Sequence, residues 1–570
     1  MKQFLILPAG LLLAATLHIA TAQAQGTTSV IKKDLPKGWH LGDYSKDGYY
    51  GISMDKAYEF VKGKTGKTVI VAIIDSGIDT LHEDLKEILW VNPKEIPGNG
   101  IDDDKNGYVD DVHGWNFLGG KDGRNVKQDS DEAARVYHGF KDRFMAPGFN
   151  PDTLTGRDKE IYQMWVKART KVEGDASGGG ADLIFLKRAL ETSTKNDSLL
   201  RIAMGKDSYT GTELEAFTPT TTQGQKAKAG MLYILKAFDM METPNGEFLD
   251  GFSTYVNGEE RKREAAEHAP PDYRGEIVQD NYNDINDRYY GNPDVMANTP
   301  SHGTHVAGII AAKRGNDIGM DGVADNVRIM TLRAVPDGDE HDKDIALAIR
   351  YAVDNGARVV NMSFGKSFSP NKDWVDDAVK YAESKGVLLI HAAGNDGENV
   401  DSVDNFPNAH LLALKEKAPN WITVGASSDP LAEPGFNSYT ASFSNYGKKE
   451  VDLFAPGTKI YSTLPGGNVY GNQQGTSMAA PVVTGVAAFL LTYYPTLTPA
   501  QLKAIIEKSV SKTGEKVKVP GSDTLTEMSN LSESGGFLNA YEAVKLADAL
   551  MKNGPEKKPV KSTLKKDGRG

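Results

Sequence analysis

A chain of 570 residues, 39% hydrophobic and 25% charged, can bury a large core, and this content excludes global disorder. Its formal net charge of -12 disfavours nucleic acid or anionic lipid as a partner. It has no cysteine, which excludes disulfides, thiolate metal sites, a lipidated N-terminal cysteine and a cysteine nucleophile.

Residues 1–24 have the pattern of an export signal. Lys2 supplies the charge, Phe4 to Leu17 the apolar run, and Ala22-Gln23-Ala24 the small residues of a cleavage site. That run is shorter than the about 20 residues of a spanning helix. The expectation is a cleaved signal and a soluble exported protein, in the periplasm, at the cell surface or outside the cell. No later segment reads as long and apolar enough to span a bilayer, and a monomer is expected.

Thr68 to Ile74 is a β-branched apolar run ending at Asp75, as a buried parallel strand would. Similar runs follow at Val327–Val335, Arg358–Phe364, Val387–Ala393 and Trp421–Ala426. Amphipathic helical stretches alternate with them. Ile345, Ala348, Ile349 and Ala352 share one face, as do Val375, Ala378, Val379 and Ala382. Asn355-Gly356 and Lys385-Gly386 give their stops. This alternation predicts an α/β fold, a parallel sheet with helices on both faces.

Residues 120–297 interrupt the pattern with a mostly helical insertion. Ile161, Met164, Trp165 and Ala168 mark one helix, and Leu183–Met204 and Lys226–Met241 suggest others. Gly178-Gly179-Gly180 and Thr218 to Gln223 read as loops. The last residues, 552–570, are a basic tail expected to be mobile.

Four positions could carry chemistry. Asp75 follows its strand directly, where open α/β sheets place their sites, although Asp-Ser-Gly is also ordinary turn chemistry. His302 and His305 sit at a helix start three residues apart, a spacing compatible with metal binding. The missing glutamate of a His-Glu-x-x-His motif, and the lack of an evident third ligand, favour a histidine base. Ser477 opens the apolar run Val482 to Tyr493, where free N–H groups favour negative charge, yet a helix cap explains an isolated Gly-Thr-Ser as well. Asn395 ends the strand at Val387–Ala393 and can donate to an oxyanion or simply form a turn.

Together the segments IIDSGID (73–79), HGTHVAGII (302–310), VVNMSFG (359–365), AAGND (392–396) and GTSMAAP (475–481) resemble the subtilase family of serine peptidases. The resemblance covers roughly 50–119 and 298–545, within a catalytic domain placed at 51–545. It implies a secreted endopeptidase acting on polypeptides through an acyl-enzyme. Asp75 orients the histidine, His302 rather than His305 is base then acid, and Ser477 is the nucleophile. Asn395 and the Ser477 amide form the oxyanion hole. Ser363, Phe364 and Gly365, with Gly394, resemble the strand and turn that bind an extended substrate backbone.

The pattern departs from the family in two ways. The insertion separates Asp75 from His302 and is placed to shape or cover the cleft. Residues 25–50 make a short extension, leaving no room after the signal for a conventional prodomain. A scaffold role without catalysis is the rival reading, whereas a Gly-x-Ser-x-Gly esterase is excluded because residue 479 is alanine and the residue order is reversed.

Residues 99–111, NGIDDDKNGYVDD, resemble the start of a calcium loop. The expected Ca2+ ligands are Asp102, Asp104, Asn106, Tyr108 (by its carbonyl), Asp110 and Asp111, without the twelfth-position glutamate of a full EF-hand. Calcium is common in subtilases and would stabilise a chain that lacks disulfides. A second acidic cluster, Asp280, Asp284 and Asp287, carries no assignment.

Overall fold

The structure is a computed structural model that describes residues 35–553, except 179, 239, 242, 299, 413–416 and 434–435. The expected signal peptide lies outside the described residues, as does the tail beyond Asn553, where the helix Ala540–Asn553 ends.

Seven strands form one sheet: β1 (Val69–Asp75), β2 (Gly114–Asn116), β3 (Val327–Arg333), β4 (Val359–Met362), β5 (Leu388–Ala392), β6 (Trp421–Ser427) and β7 (Leu453–Pro456). Their order is β2-β3-β1-β4-β5-β6-β7, and every pairing is parallel. The apolar runs are continuous because both sheet faces are covered. Val71 and Ile73 of β1 pack with the helices Ser301–Ala311 and Thr476–Tyr493. Ala72 and Ile74 face the opposite way, towards the helices Asp342–Asp354 and Lys372–Ser384.

Register brings three strand ends together. Ile74 lies opposite Met362 and Met362 opposite His391, so Asp75, Ser363 and the turn at Gly394-Asn395 leave the sheet side by side. β1 has β3 on one side and β4 on the other, the switch point at which α/β sheets open a crevice.

The helix Thr476–Tyr493 corrects one expectation. Its length and composition would suffice to cross a membrane, but 94% of it is buried inside the protein, where it forms the centre of the larger core. A helix apolar all round is what a core position selects.

The insertion leaves the sheet after β2 and returns at the helix Ser301–Ala311. It contains the helices Glu132–Phe144, Gly156–Gly178, Gly180–Met204, Gly211–Ala216, Thr222–Ala237, Asn245–Glu267 and Gly275–Val278. At the glycine run one helix ends at Gly178 and another begins at Gly180. At the other expected loop the helix starts at Thr222, capped by the Thr221 side chain on the Gly224 amide. Glu132–Phe144 and Asn245–Glu267 were not read from the sequence. Gly246, Gly251 and Gly258 weaken the second as a helix, although Phe248, Phe252 and Val256 repeat every four residues and are buried.

Buried ion pairs fasten the insertion to the helix Asp342–Asp354. Arg274 pairs with Asp344 at 2.7 Å and with Asp280 at 2.5 Å, and Lys343 reaches Asp280 at 2.5 Å. Asp280 thus holds cations, whereas Asp284 and Asp287 accept from the amides of Asn286 and Asn281 in local turns.

Candidate active site

Asp75 ends β1 buried, and Nδ1 of His302 lies 2.8 Å from its Oδ1 and 3.0 Å from its Oδ2, across 227 positions of sequence. The Ser76 amide donates to Oδ1 at 2.7 Å, fixing the carboxylate. His302 is the second residue of its helix, on the first turn, and that helix is pressed against the Asp75 loop at Gly303. A Cβ at Gly303 would stand 2.0 Å from the Gly77 carbonyl oxygen, so only glycine allows the approach. His305, on the same helix, is buried instead, with Nε2 at 3.2 Å from the Gly471 carbonyl. Burial pushes its pKa down to about 3, so the ring stays neutral. Among the described residues neither histidine belongs to a cluster of three or more metal-type ligands.

Ser477 is the second residue of the helix Thr476–Tyr493, in a first turn whose N–H groups lack helical acceptors. Its hydroxyl donates to the Ser363 carbonyl at 3.1 Å, and the Ser363 hydroxyl donates to the Ser477 carbonyl at 2.9 Å. Among the described residues no hydrogen bond joins Ser477 Oγ to His302. Both nevertheless line the same cleft, together with Asp75 and Asn395.

Oδ1 of Asn395 accepts from the Thr476 amide at 2.8 Å and from its hydroxyl at 2.9 Å. Gly394 takes φ +101, and its amide donates to the Thr476 hydroxyl at 3.1 Å. Ser363, Phe364 and Gly365 extend β4 beyond its last sheet pairing, Gly365 being exposed. Lys366 exchanges both backbone bonds with Phe406, closing the far end of that segment.

The sequence reading did not single out Asn445. Its Oδ1 accepts from the amides of Asp396 and Glu398, and its Nδ2 donates to the Ala393 carbonyl, so it holds the turn that carries Asn395. Asn445 lies 50 positions away from Asn395 in a segment, SFSNYG, with no local pattern to announce it.

The acidic loop at 99–111 is divided in two. Carboxylate oxygens of Asp102, Asp104 and Glu95 lie within 4.8 Å of one another. Glu95 was not among the expected ligands. Its Oε1 accepts from the amides of Asp103 and Asp104, and its Oε2 is buried without a partner. An orphaned buried carboxylate oxygen beside two more carboxylates fits a hard cation. The other expected side chains lie outside this cluster, and like Asp102 and Asp104 they accept local hydrogen bonds. Asp110 accepts from the amides of Gly98, Asn99 and Gly100, and Asn106 Oδ1 accepts from the Tyr108 amide. Asp111 is buried against Asn92, Asn106 and the Tyr351 hydroxyl, and burial pushes its carboxyl up to about 6.

The family model for the subtilase family matches residues 66–534. The thermophilic serine proteinase of Bacillus sp. (strain AK1) is 33% identical over 58% of this chain and 70% of its own. Thermitase of Thermoactinomyces vulgaris is 33% identical over 47% of this chain and 85% of its own. Subtilisin NAT of Bacillus subtilis subsp. natto is 38% identical over 38% of this chain, which spans about half of that relative, 51%. A solved protease of Pseudoalteromonas arctica PAMC 21717 aligns with 44% of this chain and 72% of its own at 30% identity, with a TM-score of 0.35. The match over most of the length, on a parallel sheet with the aspartate, histidine and serine at one cleft, makes this chain a member of the subtilase family of serine endopeptidases.

Proposed function

We propose that this subtilase cleaves internal peptide bonds of proteins outside the cytoplasm, with Asp75, His302 and Ser477 as a catalytic triad. The 2.8 Å bond between His302 Nδ1 and Asp75 carries the reading, because it presents Nε2 of the same ring towards the cleft that Ser477 shares. This role assignment is carried over from the subtilisin triad.

In the proposed reaction an extended substrate lies along Ser363, Phe364 and Gly365. The Ser477 hydroxyl leaves the Ser363 carbonyl and gives its proton to His302 Nε2 as Oγ attacks the scissile carbonyl carbon. Asp75 holds the imidazole in the tautomer with the proton on Nδ1 and stabilises the imidazolium. The oxyanion accepts hydrogen bonds from Asn395 Nδ2 and the Ser477 amide. His302 then protonates the leaving amine, giving the acyl-enzyme. Water, deprotonated by His302, releases the second product and restores Ser477.

Glu95, Asp102 and Asp104 would hold a calcium ion, whose contribution is structural, joining the loop at 99–111 to the start of the sheet domain. Export rests on the pattern of residues 1–24.

The deciding experiment compares hydrolysis of unfolded casein by the mature protein and by Ser477→Ala. Cleavage by the parent alone is expected. Equal cleavage by both would sink the triad, and no cleavage by either would favour a scaffold whose cleft the insertion occludes.

A further inference from the structure

The cleft that holds Ser477 and His302 continues away from them to the inserted helix Asn245–Glu267, which contributes Tyr255, Gly258 and Lys262 to its wall. The opposite wall includes Glu340, just before the helix Asp342–Asp354. Glu340 is 2% exposed, and its Oε1 is buried without a hydrogen-bond partner. An unpaired buried carboxyl is costly to maintain and calls for an explanation.

No cation of the protein donates a hydrogen bond to that oxygen among the described residues. Lys366 uses its three donors on Glu132 at 2.7 Å, Asp342 at 2.8 Å and the Glu340 backbone carbonyl at 2.8 Å. The terminal nitrogens of Arg135 go to Asp129, Glu132 and main-chain carbonyls. Across the cleft Lys262 is paired with Glu259 at 2.6 Å and Arg261 with Asp337 at 3.1 Å. Further carboxylates, of Asp131, Asp396 and Glu398, line the same space. The balance is acidic. Gly258 leaves room at the wall, since a Cβ there would meet only the Arg261 guanidinium, at 3.8 Å. The whole cleft, from Ser477 and His302 to the inserted helix, has a volume of about 200 Å³.

We propose that the cleft between Glu340 and the inserted helix Asn245–Glu267 is a subsite for a lysine or arginine of the polypeptide substrate, with the Glu340 carboxylate as its counter-charge. The inference rests on the proteolytic reading for its substrate class. The aliphatic stem of the basic residue would lie between Tyr255 and Gly258, and its cationic head would replace the partner that Glu340 lacks. Recognition of this kind is strong because a buried charge gains most from a charge-assisted bond. Burial raises the empty Glu340 carboxyl to about 8, against the opposing pull of Lys366 and with Asp339 and Asp342 adding to the rise. Docking of a cation favours the ionised form, so the preference for lysine should strengthen as pH rises towards 8.

The test uses Ser477→Ala and a set of fluorescent peptides in which each position around the scissile bond is in turn lysine or norleucine. Fluorescence anisotropy gives the ratio of Kd values, and hydrolysis by the parent gives the ratio of kcat/KM. At one position lysine is expected to win by about ten- to a hundredfold, the size of a hydrogen bond to a charged group. Adding Glu340→Gln should bring that ratio close to one and remove its rise with pH. A ratio near one at every position in Ser477→Ala overturns the proposal, whether or not the second variant folds. A preference for lysine that survives Glu340→Gln overturns it too. If the parent cleaves none of the peptides, the proteolytic reading fails, while the Kd ratios still judge Glu340.

Discussion

The backbone amide of Thr476 donates to Oδ1 of Asn395 at 2.8 Å, and this single contact decides which end of the carboxamide faces the cleft. A backbone N–H can only donate, so the atom opposite it must be the oxygen. The NH2 end is then the one available to the proposed oxyanion. Replacing Asn395 by Ala is expected to lower kcat by about a hundred- to a thousandfold, a range established in subtilisins and carried over to this chain. Thr476→Val keeps the amide contact but loses the hydroxyl, which bonds both Asn395 and the Gly394 amide. About a tenfold loss of kcat is expected there, the worth of one hydrogen bond. Comparable kcat in Asn395→Ala and parent, measured with active-site-titrated enzyme, would remove Asn395 from the mechanism.

The proposed triad should fail as a unit. Ser477→Ala, His302→Ala and the double variant are each expected to show the same residual rate, since removing one partner disables the other. Single-turnover rates on one peptide substrate provide the check. If His302→Ala retained most of the activity while Ser477→Ala lost it, the base would have to be sought elsewhere in the cleft.

Much of this site was legible in the sequence because its parts sit at the ends of short, strongly patterned elements. A buried strand must end somewhere, and Asp75 and Asn395 are what stand there. What joins them was not legible. Asn445 holds the Asn395 turn from across the sheet, and Glu95 meets Asp102 and Asp104 only after the chain folds back. The alternating pattern of Asp102, Asp104 and Asn106 suggested one ring of ligands, but the carboxylates that cluster are Glu95, Asp102 and Asp104, while Asp110 accepts the amides of residues 98–100 and Asp111 accepts from Tyr351. Local spacing says which groups are near in sequence, not which competing hydrogen bonds win. The inserted helix Asn245–Glu267 was hidden for a related reason. Its three glycines argue against a helix locally, and tertiary packing of Phe248, Phe252 and Val256 overrides them.

The orphaned Glu95 oxygen gives the calcium reading a specific test. Calcium at a hundred times its Kd stabilises a folded protein by about 2.7 kcal/mol. Thermal unfolding of Ser477→Ala, which avoids self-digestion, should therefore rise by several degrees on adding calcium and fall with chelator. In Glu95→Gln the calcium-dependent rise should shrink sharply. An equal rise in both proteins would place the ion at another site.

Three histidines make the fold sensitive to acid. Burial lowers the pKa of His40 and His391 to about 4 and of His305 to about 3, with the charge of Arg314 adding to the effect at His40. Each is neutral in the folded chain but takes up a proton near its ordinary value of 6.5 when unfolded. Their contribution is complete above that value and is lost as pH falls towards 4 and then 3. Each should add about one proton taken up on unfolding near pH 5. His391 lies tilted against Trp421 at 5.4 Å and edge-on to Phe364 at 6.3 Å, next to the segment proposed to bind substrate. His391→Phe should flatten the acid limb of stability measured by urea unfolding between pH 4 and 7. An unchanged slope would mean that His391 titrates normally.

The insertion's attachment can be broken at one residue. Arg274 is 2% exposed and compensates Asp344 and Asp280 together, through Nε, Nη1 and Nη2. Tyr290 donates its hydroxyl to the same Asp344 oxygen at 2.5 Å, and Lys343 shares Asp280. Arg274→Met keeps much of the volume but leaves two buried carboxylates to one lysine. Removing one partner of a buried pair costs about 3–5 kcal/mol, most of it the stranded charge. The variant should unfold at lower urea than the parent, both in the Ser477→Ala background. Adding Asp344→Asn should recover part of the loss by removing the charge that Arg274 had balanced. If the double variant is no more stable than Arg274→Met, the cost lies in the lost packing of the arginine and not in the uncompensated carboxylate.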